Sequence, residues 1–146
     1  MKSIIITLIT FLVFATVNAQ DNYISILDPS IGLSHSELKL FLKGILKGRE
    51  PAKAPNSDKI IYTIDNVDIH ADYYIDKDSC LQAGIRFKNE ASYKKAEDQI
   101  VSNCPPIKGM DDMYYKISQN GRLLYYLINI KEKIIVVTER NYFMGQ

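Results

Sequence analysis

The sequence lacks the short motifs by which most enzyme classes are recognised. It has no glycine-rich phosphate loop, no G-x-S-x-G, no H-E-x-x-H and no paired C-x-x-C. These absences remove the usual grounds for assigning a nucleotide-dependent enzyme, a serine hydrolase, a zinc protease or a zinc ribbon. No cofactor is indicated. Catalysis stays an open question, and a non-catalytic role is the favoured interpretation.

An excess of charge of one sign is also missing. The chain has 18 basic and 17 acidic residues, and Lys2 is the only charged residue among the first 19. The chain from Gln20 onward is therefore formally neutral. Binding to phosphate backbones or to anionic membranes requires clustered positive charge. We expect no nucleic-acid partner and no stable membrane attachment.

One long apolar run is present, at the N-terminus. Lys2 precedes an almost unbroken apolar stretch over residues 4–17, and Val17-Asn18-Ala19 is typical of a signal-peptidase site. The run is shorter than the roughly 20 residues that span a bilayer. Residues 1–19 are therefore predicted to be a cleaved signal peptide, residues 20–146 a single small domain, and the protein secreted or periplasmic.

Two segments have the pattern of amphipathic helices. In the first, Ser34 and Glu37 fit a capping box, and apolar residues then recur at helical spacing (Leu38, Phe41, Leu42, Ile45 and Leu46). In the second, Asn89 is the predicted N-cap, and Pro105-Pro106 ends the helix. Its apolar stripe comprises Tyr93, Ala96, Ile100, Val101 and Cys104.

Alternating apolar residues predict three strands after each helix. The first set covers residues 60–64, 67–75 and 81–87, and the second covers 113–118, 122–130 and 133–138. We therefore expect an α+β fold in the order helix-βββ-helix-βββ, with a mainly antiparallel sheet of about six strands and two helices on one face. The segment before Ser34 is predicted to be a short strand or a stretch lying across the core.

The two halves, 33–88 and 89–140, could be a tandem repeat, because Tyr62 and Tyr73 match Tyr115 and Tyr126 at a common offset. In the order of its elements, the chain resembles β-lactamase-inhibitory proteins and some periplasmic immunity and inhibitor proteins, which bind a target through a sheet face. No motif residue carries over from them.

Cys80 and Cys104 are the only cysteines, and an exported chain allows them to pair. A helix that returns antiparallel to its preceding strand brings the two close together, which predicts a disulfide. However, Cys80 has the parity of the polar residues of its strand, so a turn or a bulge is needed to turn it inward. The alternative is two separate buried thiols.

Asp68, His70 and Asp72 form the sharpest candidate for chemistry. At alternate positions of one strand they share a face, where carboxylates and an imidazole could contribute to a metal site with one further ligand. This pattern makes a metal-binding protein or a metal-dependent hydrolase the main alternative function. His70 could also act as a general base, and the simplest interpretation of all three residues is a solvated strand face.

Three tyrosine pairs suggest a binding surface. Neighbouring strand residues point to opposite faces, so one member of each pair is expected outside, and Tyr74, Tyr114 and Tyr126 are the candidates. An outward row of tyrosines is typical of protein interfaces and could also stack on sugars, although cross-strand tyrosines also stabilise sheets. The favoured interpretation is a binding protein of inhibitor or immunity type that engages a protein partner or a second copy. A small-ligand carrier with a pocket lined by Phe41, Phe87 and Tyr93 is a further alternative.

Overall fold

The computed structural model describes residues 22–54 and 60–139. The predicted signal peptide and the C-terminal residues 140–146 lie outside the described residues. The helices are α1 (Ile24–Leu27), followed by a 3-10 turn (Asp28–Ser30), α2 (His35–Ile45) and α3 (Glu90–Asn103). The strands are β1 (Ala52–Lys53), β2 (Ile60–Asp65), β3 (Ile69–Asp76), β4 (Ser79–Phe87), β5 (Met113–Ile117), β6 (Leu123–Asn129) and β7 (Ile134–Glu139).

Local chemistry sets the limits of the two longer helices. The capping box of α2 is present: the Ser34 amide donates to Glu37 Oε2 at 2.9 Å, and the Glu37 amide donates to Ser34 Oγ at 3.4 Å. At the start of α3, Asn89 Oδ1 accepts from the Ser92 amide at 2.8 Å. None of the helices within the described ranges has the length and apolarity to cross a bilayer.

All seven strands form one antiparallel sheet in the order β1-β2-β3-β4-β7-β6-β5. The meanders β2-β3-β4 and β5-β6-β7 join through their last strands, since β4 pairs with β7. The α+β class and the antiparallel sheet are confirmed. The predicted layout was incomplete, because it omitted β1 and α1. Each is too short to show a periodic pattern, and β1 is held by pairing Ala52 with Thr63 and Lys53 with Tyr62.

One hydrophobic core lies between the helices and one face of the sheet, which we call the helix face. The segment that precedes α2 is part of this core, because Tyr23, Leu27 and Ile31 are buried in it. Tyr23 packs edge-on against Phe87, with ring centroids 5.0 Å apart. Tyr73 donates from its hydroxyl to the Ile26 carbonyl at 3.1 Å. The N-terminal segment therefore lies across the core as a short helix and turn, and the alternative of a strand was wrong.

The start of β3 differs from the prediction. Val67 was placed on the inner face of a strand, but it is 86% exposed in a turn. Asn66 Oδ1 accepts from the backbone amides of Asp68 and Ile69, at 2.8 and 2.9 Å. This side-chain cap stabilises a turn and delays the strand until Ile69.

The disulfide predicted between Cys80 and Cys104 is absent, and both residues are free, buried thiols. The register of β3 on β4 shifts between Tyr74 and Ile75, so Leu81 is left as an extra residue and Cys80 turns into the core. The necessary bulge is therefore present. Cys80 nevertheless contacts Ser30, at 4.0 Å from Sγ to Oγ, whereas Cys104 interacts with the charges of Lys116 and Asp28. The two thiols therefore have different neighbours.

Each half of the sheet has a pair of tyrosines facing each other across its first two meander strands. Tyr62 pairs with Tyr73 across β2 and β3, and Tyr114 pairs with Tyr126 across β5 and β6. Tyr114, and not Tyr115, is thus the counterpart of Tyr62. The strand order is the one expected when two units, each a helix followed by a three-stranded meander, pair through their last strands. That the two halves arose by duplication of one sequence stays a prediction.

Candidate functional site: the open face of the sheet

The face of the sheet opposite the helices, which we call the open face, is formed by alternate residues of every long strand. The helices contribute Leu38, Leu42, Tyr93, Ala96 and Ile100 to a core shared with the other face. Within residues 22–54 and 60–139, no helix packs on the open face. This surface is therefore the broadest candidate for binding a partner.

Apolar residues are concentrated in the part of the open face formed by β5, β6 and β7. We call this part the apolar half. Tyr115 and Ile117 are its most exposed members, at 37% and 68% of their full surface. Its residues are Met113, Tyr115, Ile117, Leu123, Tyr125, Leu127, Ile134 and Val136. Contiguous exposed apolar surface of this kind typically marks an interaction site.

The part of the open face formed by β2, β3 and β4 is mainly polar, although Ile61 and Tyr74 also lie on it. His70 lies between two carboxylates, with Nδ1 at 3.3 Å from Asp65 Oδ1 and Nε2 at 3.2 Å from Asp72 Oδ1. Lys88 Nζ binds the same Asp65 oxygen at 2.6 Å, and the Lys88 ammonium holds the pKa of Asp65 below its ordinary value. We call this group the polar half, together with Thr63, Gln82 and Arg86.

The proposed set of Asp68, His70 and Asp72 is only partly assembled. Asp68 lies in the turn before β3, and its Oδ1 accepts from Asn89 Nδ2 at 2.9 Å. Asp68 therefore binds the N-cap residue of α3 and does not lie on the strand face beside His70. Asp65 occupies that position instead. Asp65 was missed because it stands on the neighbouring strand, and only the pairing of Asp65 with His70 brings it close.

The geometry around His70 suits a hydrogen-bonding role. Both ring nitrogens face carboxylate oxygens, one on β2 and one on β3. Within the described residues, no group of three or more histidine, cysteine, aspartate or glutamate side chains is arranged to hold a metal ion. What the arrangement can do is link β2 to β3 electrostatically at the surface.

The candidate tyrosines lie on both faces of the sheet. Tyr74 is on the open face and half-buried, as predicted. Tyr126 is fully buried in the core, and Tyr114 packs against the same core, so their predicted outward placement was wrong. Their neighbours Tyr125 and Tyr115 occupy the open face instead. β6 is apolar on both faces, so alternation alone could not assign the inward side.

Tyr126 belongs to a polar cluster that the sequence did not indicate. Its hydroxyl donates to Asp28 Oδ1 at 2.5 Å, and Lys116 Nζ lies 3.0 Å from Asp28 Oδ2. Burial, followed by the neighbouring Asp28 carboxylate, raises the pKa of Tyr126. The cluster fastens the N-terminal turn to β5 and β6. Asp28 is almost 100 residues away from Tyr126 in the chain, so no local pattern could have revealed it.

On the helix side, two of the aromatic residues considered for a ligand pocket pack against each other. Phe87 packs against Tyr93 with centroids 5.8 Å apart, and Tyr23 fills the other side of Phe87. The Tyr23 hydroxyl also donates to Ser92 Oγ at 3.1 Å. The N-terminal segment therefore packs against Phe87, one of the three residues considered for a ligand pocket.

Both edges of the sheet are covered by short backbone segments. At β2, pairing with β1 is extended by the Ala54 amide, which donates to the Ile61 carbonyl at 2.9 Å. At β5, the Tyr115 amide donates to the Pro105 carbonyl at 3.1 Å, and the Ile107 amide donates to the Met113 carbonyl at 2.9 Å. Such coverage protects edges from pairing with other strands. A partner is therefore better accommodated on the open face than at an edge.

Comparison of the chain with protein-family models, with curated proteins and with solved structures found no match in any of the three.

Proposed function

We propose that this protein is a small exported, non-catalytic binding protein that engages a protein partner through the open face of its sheet. The observation that carries the proposal is the apolar half, in which Tyr115 and Ile117 are exposed beside six further apolar residues. Export is part of the proposal and rests on the N-terminal sequence over residues 1–19. A role as an inhibitor or an immunity factor is consistent with such a surface.

Two further features support a protein partner over a small molecule. The apolar half is a broad sheet surface, because it consists of alternate side chains on three neighbouring strands. Small-molecule sites are concave and enclose most of their ligand, whereas protein interfaces combine a nearly flat apolar centre with a polar rim. The polar half, with Asp65, His70 and Asp72, supplies such a rim on one side.

Site-specific photo-crosslinking tests the proposal. A photoreactive side chain at Ile117 probes the open face, and the same group at Leu40 is the matched control, because Leu40 is 72% exposed on α2. Proteins crosslinked in the source cells from position 117 only would be identified and purified. The proposal fails if positions 117 and 40 yield the same set of proteins.

Titration of the purified candidate then decides whether the contact is specific. Ile117→Lys places a charge in the apolar half and should weaken binding at least tenfold, or about 1.4 kcal/mol. Leu40→Lys should leave the affinity unchanged. Equal affinity for the wild type and Ile117→Lys would exclude the open face as the binding surface.

A further inference from the structure

The chain leaves the sheet beside the apolar half. β7 ends at Glu139, which pairs with Leu124 on β6, and Leu124 in turn pairs with Lys116 on β5. Ile117, the most exposed residue of the apolar half, directly follows Lys116. The exit point is therefore separated from this exposed residue by two strand spacings, or about 10 Å.

Two directions are closed to the chain at this exit. Beside β4, the backbone positions that β7 would reach next are taken, since the Gly32 amide donates to the Cys80 carbonyl at 2.7 Å and the Cys80 amide donates to the Leu33 carbonyl at 2.8 Å. On the helix face, Arg122 Nη1 binds both carboxylate oxygens of Glu139 at 3.1 Å, and a Cβ added to Gly32 would lie 2.3 Å from Arg122 Cζ. The open face and the solvent are the directions that remain.

Thr138 distinguishes between these two directions. It lies on the open face between Gln82 of β4 and Tyr125 of β6, and it is completely buried. Every other described residue of the open face keeps part of its surface exposed, including the neighbouring Tyr125. The flanking side chains shield a threonine from the sides, but complete burial next to the exit of the chain indicates a cover from above.

We propose that residues 140–146 turn back from Glu139 over Thr138 and cover the apolar half. This inference rests on the proposed function, because the segment then occupies the surface that a protein partner uses. The segment acts as a built-in competitor, and a partner displaces it in order to bind.

The composition of the segment suits the surface. Tyr142, Phe143 and Met144 follow one another in a stretch whose single charged side chain is Arg140. Aromatic and methionine side chains are enriched where proteins bind apolar surfaces. The segment therefore provides apolar side chains for the same surface that attracts a partner.

The length of the segment is also sufficient. Seven residues at about 3.3 Å each span roughly 23 Å. The apolar half measures about 10 Å across β5, β6 and β7 and about 20 Å along these strands. A tethered segment has an effective concentration in the millimolar range, so a dissociation constant of about 1 mM keeps it docked about half of the time. Any free competitor needs a comparable concentration in solution, and this difference selects the chain's own segment as the occupant.

Binding of the apolar dye anilinonaphthalene sulfonate to the purified chain tests the cover. The combined changes Tyr142→Ser, Phe143→Ser and Met144→Ser remove the apolar contacts of the segment, so dye fluorescence should rise at least twofold. The gain should be lost when Ile117→Lys is added, because the uncovered surface then carries a charge. A gain caused by misfolding would persist in the combined variant.

The combination of Asn141→Ser and Gln146→Ser is the matched control. These two changes lie in the same segment, keep its length and remove no apolar side chain, so dye fluorescence should stay at the level of the wild type. Equal fluorescence of the wild type and the triple serine variant overturns the inference.

Photo-crosslinking within the purified chain locates the segment. A photoreactive side chain at position 143, in an equal mixture of isotope-labelled and unlabelled chains, should crosslink to residues 113–129 of the same chain. Crosslinks to the helices exclude docking on the apolar half. Crosslinks that join a labelled chain to an unlabelled one show that the segment of a second copy occupies the surface, which also overturns the inference.

Competition with a partner provides the final test. The partner purified through position 117 should bind the triple serine variant about twofold to tenfold more tightly than the wild type, since a docked segment lowers the apparent affinity by the fraction of open chains. Equal affinities exclude competition. If neither dye binding nor crosslinking detects the segment on the apolar half but Ile117→Lys still abolishes partner binding, the inference fails and the proposed function stands.

Discussion

Asp28 is the residue that connects the N-terminal turn to the second half of the sheet. Its carboxylate accepts from the buried Tyr126 hydroxyl and pairs with the half-exposed Lys116. Hydrogen bonds to a buried charged group contribute more to stability than an exposed ion pair does. The two partners of Asp28 should therefore differ in how much they stabilise the fold.

Replacement of Tyr126 by phenylalanine tests this difference. Tyr126→Phe removes only the hydroxyl and leaves Asp28 with one partner, so the free energy of unfolding should fall by about 1.5–3 kcal/mol. Lys116→Met should cost less than about 1 kcal/mol, since Lys116 is 41% exposed. Urea unfolding of the two variants provides the comparison. Equal losses would contradict the importance assigned to the Tyr126 hydrogen bond.

The two cysteines allow a second test at the scale of single residues. Burial raises the pKa of Cys80 to about 11 and also raises the pKa of Cys104. Neither thiol should react rapidly with a thiol reagent at about pH 8 in the folded protein, because thiolate is the reactive form. Unfolding in urea without reductant should release two reactive thiols per chain. Finding none would show that the disulfide forms after all.

Among the elements, α2 depends most visibly on its N-cap residue, Ser34. Ser34 Oγ accepts from the Glu37 amide. The Ser34 hydroxyl and then the Ser34 amide donate to the Glu37 carboxylate, and these two bonds hold the pKa of Glu37 below its ordinary value. The Ser34 backbone also bridges to Ser79 at the start of β4. The cap therefore sets both the start of the helix and the position of that start against the sheet.

Removal of the cap should be measurable by thermal unfolding. Ser34→Ala leaves an amide of the first turn without its side-chain acceptor, and it should destabilise the fold by about 1 kcal/mol, lowering the melting temperature by about 3–6 °C. Ser36→Ala, two residues later and exposed, should change stability by less than about 0.5 kcal/mol. A loss at Ser36 as large as that at Ser34 would show that the capping box is not the cause.

The strands show why one meander was easier to predict than the other. In β3 the apolar residues alternate with polar ones, so His70 and Asp72 could be assigned to the outer face. In β6 every residue from Leu123 to Ile128 is apolar, and both possible orientations fit the pattern. In the structure Tyr126 faces inward and binds Asp28 of the N-terminal segment, a long-range contact that alternation along β6 cannot show.

At the scale of the whole molecule, the core contains several groups that must stay protonated. Burial raises the pKa of Tyr73 and Tyr126 above the ordinary tyrosine value, and it raises the pKa of Cys80 to about 11. In the unfolded chain these groups lose their protons near pH 9 for cysteine and near 10 for tyrosine. Above these values the unfolded state binds fewer protons than the folded state, so stability decreases as the pH rises.

The melting temperature should therefore be nearly constant from about pH 7 to about pH 8.5 and fall steeply beyond about pH 9.5. Tyr73→Phe removes one of these groups and should make the alkaline fall shallower, although it also lowers stability at neutral pH by losing the bond to Ile26. Scanning calorimetry as a function of pH measures both effects. An unchanged slope in Tyr73→Phe would contradict the assignment of the titrating group.

Local sequence patterns determined much of this fold. The caps at Ser34 and Asn89, most of the apolar stripes of the two long helices and the approximate positions of six strands depend on neighbouring residues, so the sequence was sufficient to predict them. The exceptions are Val101 and Val67, which are exposed. The composition likewise indicated a chain without excess charge or motifs of common enzymes. These properties are local or additive, and they do not depend on how distant segments meet.

Other features were decided only by the tertiary structure. The entry of residues 22–33 into the core, the inward side of Tyr126, the separate contacts of Cys80 and Cys104, and the approach of Asp65 to His70 all depend on contacts between distant parts of the chain. The open face became a defined surface for the same reason, since both long helices pack on the opposite side. Long-range contacts of this kind produce no repeating pattern in the sequence. They form only when the strands have paired, so the sequence alone could not reveal them.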